Sequence, residues 1–212
     1  MARETDEAKL VRMTEIERGL WEAGKRVAGI DEVGRGPLAG PVVTCCISIA
    51  KERLVPGVDD SKELSEKRRE ALYDRLIEAA EYVCLARLEA RDIDQVNILQ
   101  ATKLCMAKCA REAEGRVFLV DAVAGLALPG DARILVHGDA ISYMIAAASV
   151  VAKVVRDRWM VELDEKYPMY GFCRNKGYGT QEHISALKRY GPCPEHRRSF
   201  IGHFCPPRRW TP

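Results

Sequence analysis

Two adjacent carboxylates, Asp31 and Glu32, follow the apolar run "RVAGI" and precede a loop holding Gly34, Arg35, Gly36, Pro37 and Gly40. Two further apolar runs, "RVFLV" and "ARILV", lead toward Asp121 and Asp139. Four carboxylates gathered at one place would oppose one another's ionisation, because like charges within a few ångströms raise each other's pKa. A divalent cation relieves that conflict. Oxygen-only ligands favour Mg²⁺ or Mn²⁺, which retain waters and commonly bind phosphate oxygens as well. Two such ions about 3.5–4 Å apart can activate a water and stabilise the leaving oxygen in phosphodiester cleavage. Each aspartate taken singly reads more simply as a strand-terminal cap or an ion-pair partner. Three apolar runs ending in acids point instead to a metal-dependent phosphoryl enzyme, and spacing alone leaves both readings open.

The glycine loop is the second chemical signal. Glycines let backbone N–H groups approach a ligand closely, and Arg35 could hold a phosphate. The segment lacks the GxxxxGK[ST] pattern, so it is not a nucleotide-binding P-loop. By itself a GxG element is most often a turn.

The elements that must position these groups follow from periodicity. Residues 5–23 carry Leu10, Met13, Ile16 and Leu20 on one helical stripe that Gly24 ends. Strands are expected over 26–31 and over 41–49, the latter rich in β-branched residues. A loop over 55–64 leads to a charged amphipathic helix near 65–80, then a strand at 82–89 and a helix at 93–113. Short strands over 116–121 and 132–139 each end in an aspartate. The longest helix is expected over 142–166, with an Ala-rich first half suited to close packing on a sheet. Residues 167–179 are irregular and rich in glycine and aromatics, and a short helix capped by Thr180 runs to about Tyr190. Strands followed by alternating helices and strands predict an α/β fold with a mixed sheet. The division expected is an N-terminal helix over 1–25, a core over 26–166, and a C-terminal segment over 167–212.

Composition is that of an ordinary soluble domain, with 47% hydrophobic and 30% charged residues in 212. No apolar run approaches the ~20 residues a membrane span needs. The N-terminus "MARETDEAKL" mixes charges early and lacks the apolar core of a signal peptide, so a cytoplasmic location is expected. The eight cysteines show no CxxC spacing and read as buried free thiols. Cys45 and Cys46 should face opposite sides of a strand, and Cys105 and Cys109 should share a helix face. Although the net charge is +2, the stretch from Tyr170 onward holds eight Lys or Arg against two acids. That asymmetry suggests a polyanionic partner at the C-terminal part, or simply a solvated basic tail.

The sequence resembles the bacterial type 2 ribonuclease H family, ribonuclease HII. The resemblance rests on "GIDEVGRGPLAGPVV" at 29–43, "DDSKELSEKRRE" at 59–70, "NILQAT" at 97–102, "HGDAISYMIAAASVVAKVVRDR" at 137–158, "YPMYGFCRNKGYGT" at 167–180 and "YGPCPEHRRSF" at 190–200. These motifs cover the chain from about Arg26 to Phe200 in the family's order, and DE-x-GRG together with KGYG is highly specific. The resemblance implies a ribonuclease H-like fold, a mixed central sheet flanked by helices with a small C-terminal helical portion. It implies a monomeric endonuclease that cuts RNA in RNA–DNA hybrids and at single ribonucleotides in duplex DNA, leaving 5′-phosphate and 3′-hydroxyl ends. By position, Asp31, Glu32, Asp121 and Asp139 would be the catalytic acids holding two divalent cations, Mn²⁺ or Mg²⁺. Gly34, Arg35 and Gly36 would read the ribose 2′-OH and hold the adjacent phosphate, since the 2′-OH distinguishes RNA from DNA. Tyr178 would stack on the sugar of the following nucleotide. Ser61 and Lys62 would contact phosphates, which positions a duplex without reading its sequence.

With cations doing the activation no histidine base is required, and His137 is expected to be a local structural or electrostatic residue. Two positions depart from the family's usual pattern. Ile141 stands where a lysine is usual, and Ala122-Val123 follow Asp121 where Gly-Asn is usual. The first puts a phosphate contact in question, the second the pose of Asp121. Arg35 stands where type 3 relatives have another residue, and the short stretch before the first strand leaves no room for their extra N-terminal domain. A non-catalytic nucleic-acid binder of the same fold is the competing reading, and the intact acid set argues against it. Another nuclease of this fold with different specificity is opposed by the GRG loop and Tyr178. No clear sliding-clamp peptide is present, and the role of "PPRRW" at 206–210 stays open.

Overall fold

The computed structural model describes residues 5–113, 115–123 and 125–206, so most of the "PPRRW" tail lies outside the described residues. Its centre is a five-stranded sheet in the order β3-β2-β1-β4-β5. These strands are β1 (Val27–Val33), β2 (Val42–Ile49), β3 (Ala80–Leu88), β4 (Val117–Asp121) and β5 (Ala132–Leu135). β1, β2 and β3 run antiparallel in turn, while β4 and β5 add in parallel beside β1. The sheet is therefore mixed, as the alternation of elements predicts.

Both faces are covered. Val27, Val43, Cys45 and Ile47 pack against α7 (Tyr143–Lys166) and α3 (Glu66–Ala79) on one side. Ala28, Ile30, Val42, Cys46 and Phe118 pack against α5 (Ile98–Glu112) on the other. Odd and even residues of β1 and β2 thus divide between two cores, as the period of two requires. Cys45 and Cys46 fall on opposite sides, and Cys105 and Cys109 share the α5 core. All eight cysteines are free, and all except the half-buried Cys173 are buried.

The first ten residues of α7, 143–152, are all buried. A helix apolar all round belongs in a core rather than on a surface. Its start lies so close to β1 that a Cβ on Gly29 would sit 2.1 Å from the Met144 carbonyl. Ser142 caps the helix by accepting from the Ile145 N–H.

The expected N-terminal helix is two helices, α1 (Asp6–Met13) and α2 (Glu15–Glu22), divided at Thr14. The second is anchored by a buried acid, because Glu17 accepts from Ser142 Oγ at 2.6 Å and the Met144 N–H at 3.0 Å. The helix expected over 93–113 is likewise divided, into α4 (Ala90–Val96) and α5, by Asn97 at φ +66°. There the Asn97 side chain accepts from the Gln100 N–H and restarts the helix. After α7 come a short 3-10 helix at Pro168–Tyr170 and α8 (Phe172–Asn175), then α9 (Gln181–Tyr190), capped by Thr180 as expected, and α10 (Arg198–Ile201). No helix among the described residues is long and apolar enough to cross a membrane.

Candidate active site

β1 outruns its parallel partner. β4 pairs with β1 only as far as Ile30↔Val120, whereas β2 stays paired through Val33↔Val43. Asp31 and Glu32 therefore lie inside β1 rather than at its end, but beyond the last rung of the parallel ladder. Asp121 is the final residue of β4, and its Oδ1 accepts from the Gly138 N–H at 2.8 Å.

Asp139 is not a strand-terminal residue. β5 stops at Leu135, His137 turns the chain at φ +54°, and Asp139 lies in the short helix α6 (Gly138–Ile141). The expected strand fails because Val136 faces solvent at 69% exposure and offers nothing to bury. Gly138 suits the turn, since a Cβ there would sit 2.6 Å from Ile145 Cδ1.

A cavity of about 230 Å³ is lined by Asp31, Glu32, Gly34, Arg35, Gly36, Ser61, Lys62, Asp121, Asp139 and Tyr178, together with Val33, Ser149 and Lys153. The first ten are the residues singled out in the sequence. His137 and Ile141 are exposed and do not line it. Val123 buries its side chain in the α5 core, which anchors the chain just after Asp121.

The cavity's electrostatics are those of crowded acids. Burial pushes the Asp31 carboxyl well above its ordinary range, and the charges of Glu32, Asp121 and Asp139 push the same way. Burial also raises Glu32, opposed by Arg35, whose guanidinium lies 3.3 Å from Glu32 Oε1. Glu32 Oε2 is buried without a partner. Lys62 Nζ donates to Asp139 Oδ2 at 2.9 Å, a contact that holds the ammonium protonated.

Four hard oxygen-donor side chains, one with an orphaned buried oxygen, fit a divalent cation by type. Among the described residues, no three His, Cys, Asp or Glu side chains surround a single ion position. Asp139, Asp121 and Glu32 are instead occupied by Lys62, the Gly138 N–H and Arg35 respectively.

The glycine loop that lines the same cavity is held by two fully buried arginines. Arg197 donates to the carbonyls of Gly34 at 2.6 Å, Arg35 at 3.0 Å and Gly40 at 2.8 Å. Arg156 donates to Pro41, Ala39 and Lys176. Gly34 is at φ +91°, and a Cβ there would sit 2.3 Å from Arg156 Nε. Tyr178, 44% exposed, hangs from a loop whose Gly177 carbonyl accepts from the Leu38 N–H at 2.8 Å.

A histidine pair fixes that loop. His183 Nδ1 lies 2.8 Å from the Tyr178 carbonyl, so it donates, and its Nε2 must accept from His196 Nε2–H at 3.0 Å. His196 Nδ1 then accepts from the Cys193 N–H at 3.1 Å. Both rings are neutral; burial lowers both pKa values, that of His196 to about 3.

Sequence reasoning missed Ser149, Lys153, Arg156, Arg197 and the histidine pair. Ser149 donates to Ser61 Oγ at 2.7 Å and Lys153 pairs with Asp157 at 2.7 Å. A signal existed, because Ser149, Lys153, Arg156 and Asp157 form one polar stripe that starts within the apolar first half of the helix. The basic C-terminal charge is also less available than its count suggested, since Arg197 is buried and Arg174 pairs with Glu182.

Known proteins resemble this chain in sequence and in fold. A family profile described as Ribonuclease HII matches residues 28–204. Ribonuclease HII of Geobacillus kaustophilus is 49% identical over 197 residues, covering 92% of this chain and 75% of that one. The chain belongs to the ribonuclease HII family. It is accordingly a type 2 ribonuclease H, an enzyme and a hydrolase. Ribonuclease HII of Enterococcus faecalis is 46% identical over 203 residues, covering 94% and 79% of the two chains. Among solved structures, ribonuclease H2 of Pyrococcus horikoshii superposes with a TM-score of 0.67 at 26% identity, covering 82% of this chain and 93% of that one. The ribonuclease HII in a PCNA complex from Archaeoglobus fulgidus gives a TM-score of 0.69 at 24% identity, covering 88% and 96%, and shows the same fold.

Proposed function

We propose that this ribonuclease HII hydrolyses the RNA strand of RNA–DNA hybrids and cuts at single ribonucleotides in duplex DNA, leaving 5′-phosphate and 3′-hydroxyl ends. The observation that carries the reading is that one cavity collects the acid wall, the GRG loop, Ser61-Lys62 and Tyr178. Asp31, Glu32, Asp121 and Asp139 would hold two divalent cations, Mg²⁺ or Mn²⁺, in keeping with their oxygen-only chemistry. Bound there, the ions supply a nucleophile at neutral pH and offset charge on the phosphodiester oxygens.

The protein's own groups do the positioning. Lys62 and Ser61 hold backbone phosphates, and Ser61 is braced by Ser149 Oγ and by Arg69, which donates to its carbonyl at 3.0 Å. N–H groups of the GRG loop meet the 2′-OH and the neighbouring phosphate. Tyr178 packs on the next sugar, where a deoxyribose fits, and so favours an RNA-to-DNA junction. Residues 26–166 serve as the catalytic core and 167–212 as the substrate-binding segment of a monomeric cytoplasmic enzyme of ribonucleotide repair.

Cleavage mapping tests this on an all-DNA duplex, a one-ribonucleotide duplex and a full hybrid, with Mn²⁺, with Mg²⁺ or with a chelator. Metal-dependent cuts in the last two substrates and none in the first are expected. A one-ribonucleotide duplex that is bound yet never cut would favour the non-catalytic binder instead.

A further inference from the structure

Three loops meet behind the cavity, residues 34–41, 175–179 and 193–197. The Arg197 N–H donates to the Leu38 carbonyl at 2.9 Å, and the Gly40 N–H donates to the Glu195 carbonyl at 2.9 Å. Ala39 and His196 form an antiparallel bridge. At the centre stands the Arg197 guanidinium, fully buried and held by hydrogen bonds to the carbonyls of Gly34, Arg35 and Gly40. Among the described residues its hydrogen bonds go to main-chain carbonyls alone, with the Phe200 ring 5.3 Å away and the charge of Asp94 acting in its favour.

We propose that Arg197 is a positioning residue for ribose recognition, turning the Gly34 and Arg35 carbonyls inward and so aiming the Arg35 and Gly36 N–H groups into the cavity. The inference rests on the reading of this site as a ribonucleotide-cutting centre. A trans peptide is planar, with its C=O and the following N–H pointing in opposite directions. All peptides here are trans. Holding the carbonyl of residue 34 inward therefore directs the N–H of 35 outward, and holding the carbonyl of 35 does the same for 36. Among the described residues no protein acceptor takes either N–H, and both residues are exposed. They are two free donors on the cavity lip, at the place where a hydroxyl oxygen and a phosphate must be received. Burial and the nearby Arg156 charge press the Arg197 pKa down, so the positive charge is retained there at a cost and serves the carbonyls it gathers.

Arg156 has a different share. Its three carbonyls belong to residues 39, 41 and 176, so it ties the far side of the glycine loop to the Tyr178 loop. It does not touch the carbonyls of 34 and 35. Lysine can replace neither arginine fully, since an ammonium is a point donor and cannot span carbonyls the way a planar fork does.

The test compares the full-length enzyme with Arg197→Lys and Arg156→Lys in single-turnover cutting of two duplexes. One carries a single ribonucleotide, the other a 2′-fluoro nucleotide at the same position, which accepts a hydrogen bond poorly. Arg197→Lys should lose roughly 10²-fold in rate on the ribonucleotide and roughly tenfold less than that on the 2′-fluoro duplex, where only the phosphate contact is disturbed. Arg156→Lys should lower both rates by a similar factor and leave the preference standing. A misfolded fraction lowers both rates equally, so a preserved hydroxyl-to-fluoro ratio in Arg197→Lys overturns the proposal.

If that variant does not fold, amide NMR of the wild-type protein decides. The Arg35 and Gly36 amides should exchange without protection and shift on addition of inorganic phosphate, and protected or unmoved amides overturn the proposal. A wild-type enzyme that cuts neither hybrid nor ribonucleotide would defeat the functional reading, while the amide measurement would still judge whether the Arg35 and Gly36 N–H groups are the free donors the proposal requires.

Discussion

The acid wall and the glycine loop line one cavity, and each rests on like charges kept out of water. They resolve the strain in opposite ways. Asp31 and Glu32 are crowded with Asp121 and Asp139, and their carboxyls are pushed upward by burial and mutual repulsion. Arg156 and Arg197 are more deeply buried, yet six carbonyl oxygens surround them. The acid wall is electrostatically incomplete and suited to receive cations. The loop is satisfied as built and suited to hold a shape. A hydrogen-bonded buried charge rigidifies, whereas an under-compensated one is costly and marks a working site.

The largest expected break is Asp31→Asn. Cutting of a one-ribonucleotide duplex should fall by roughly three orders of magnitude, as when a key electrostatic group is removed, while duplex binding survives. Full activity would remove Asp31 from the centre. Because the native carboxyl is held above its ordinary pKa, its ionised form opposes folding at neutral pH. The variant should therefore melt higher, by about 2–4 °C for each kcal/mol relieved in a chain of this length.

Next come two glycines two residues apart. Gly34→Ala places a Cβ 2.3 Å from Arg156 Nε at φ +91°, so it should destabilise the fold by about 1–3 kcal/mol or more, seen in the urea midpoint. At Gly36 the nearest atom to a new Cβ is Tyr178 Cε1, at 3.7 Å. Gly36→Ala should leave the midpoint nearly unchanged and lower cutting of the ribonucleotide duplex. Equal destabilisation by both would contradict a loop buttressed at Gly34.

Tyr178→Ala tests the half-exposed ring between them. Losing one stacking contact should cost about 1–3 kcal/mol in apparent affinity or rate, read as preference for the RNA–DNA junction over an RNA–RNA step. A preference that stays put would remove Tyr178 from junction selection.

A more gradual effect of similar size is a pH slope. His196 is neutral in the fold with a pKa of about 3, against about 6.5 when unfolded. The unfolded chain then binds the extra proton, so stability falls as pH drops through 6.5 and continues falling toward 3. One such ring contributes up to about 1.4 kcal/mol per pH unit. Urea midpoints at pH 7.5 and 5 should therefore converge in His196→Gln relative to wild type. Parallel shifts would mean the ring titrates normally.

Much of this was legible in the sequence. The mixed sheet, the long buried helix and the two faces of "TCCI" follow from periodicity, and the ten site residues meet in one cavity. Asp139 was misplaced because an apolar "ARILV" run was extended through a left-handed His137 that propensity does not reveal. The arginine hub was invisible for a different reason. Arg197 lies in a stretch that reads as a solvated basic tail, and only the folded chain shows that its partners are carbonyls 157 to 163 residues away. Carboxylates announce themselves by type, whereas carbonyl acceptors exist at every residue and carry no sequence signal.

Mn²⁺ binding measured by calorimetry in wild type, Asp31→Asn and Gly36→Ala tests the division most directly. Saturable binding in wild type and Gly36→Ala, with none in Asp31→Asn, is predicted. Undiminished binding in Asp31→Asn, or its loss in Gly36→Ala, would contradict a cavity in which one wall holds the cations and the other reads the ribose.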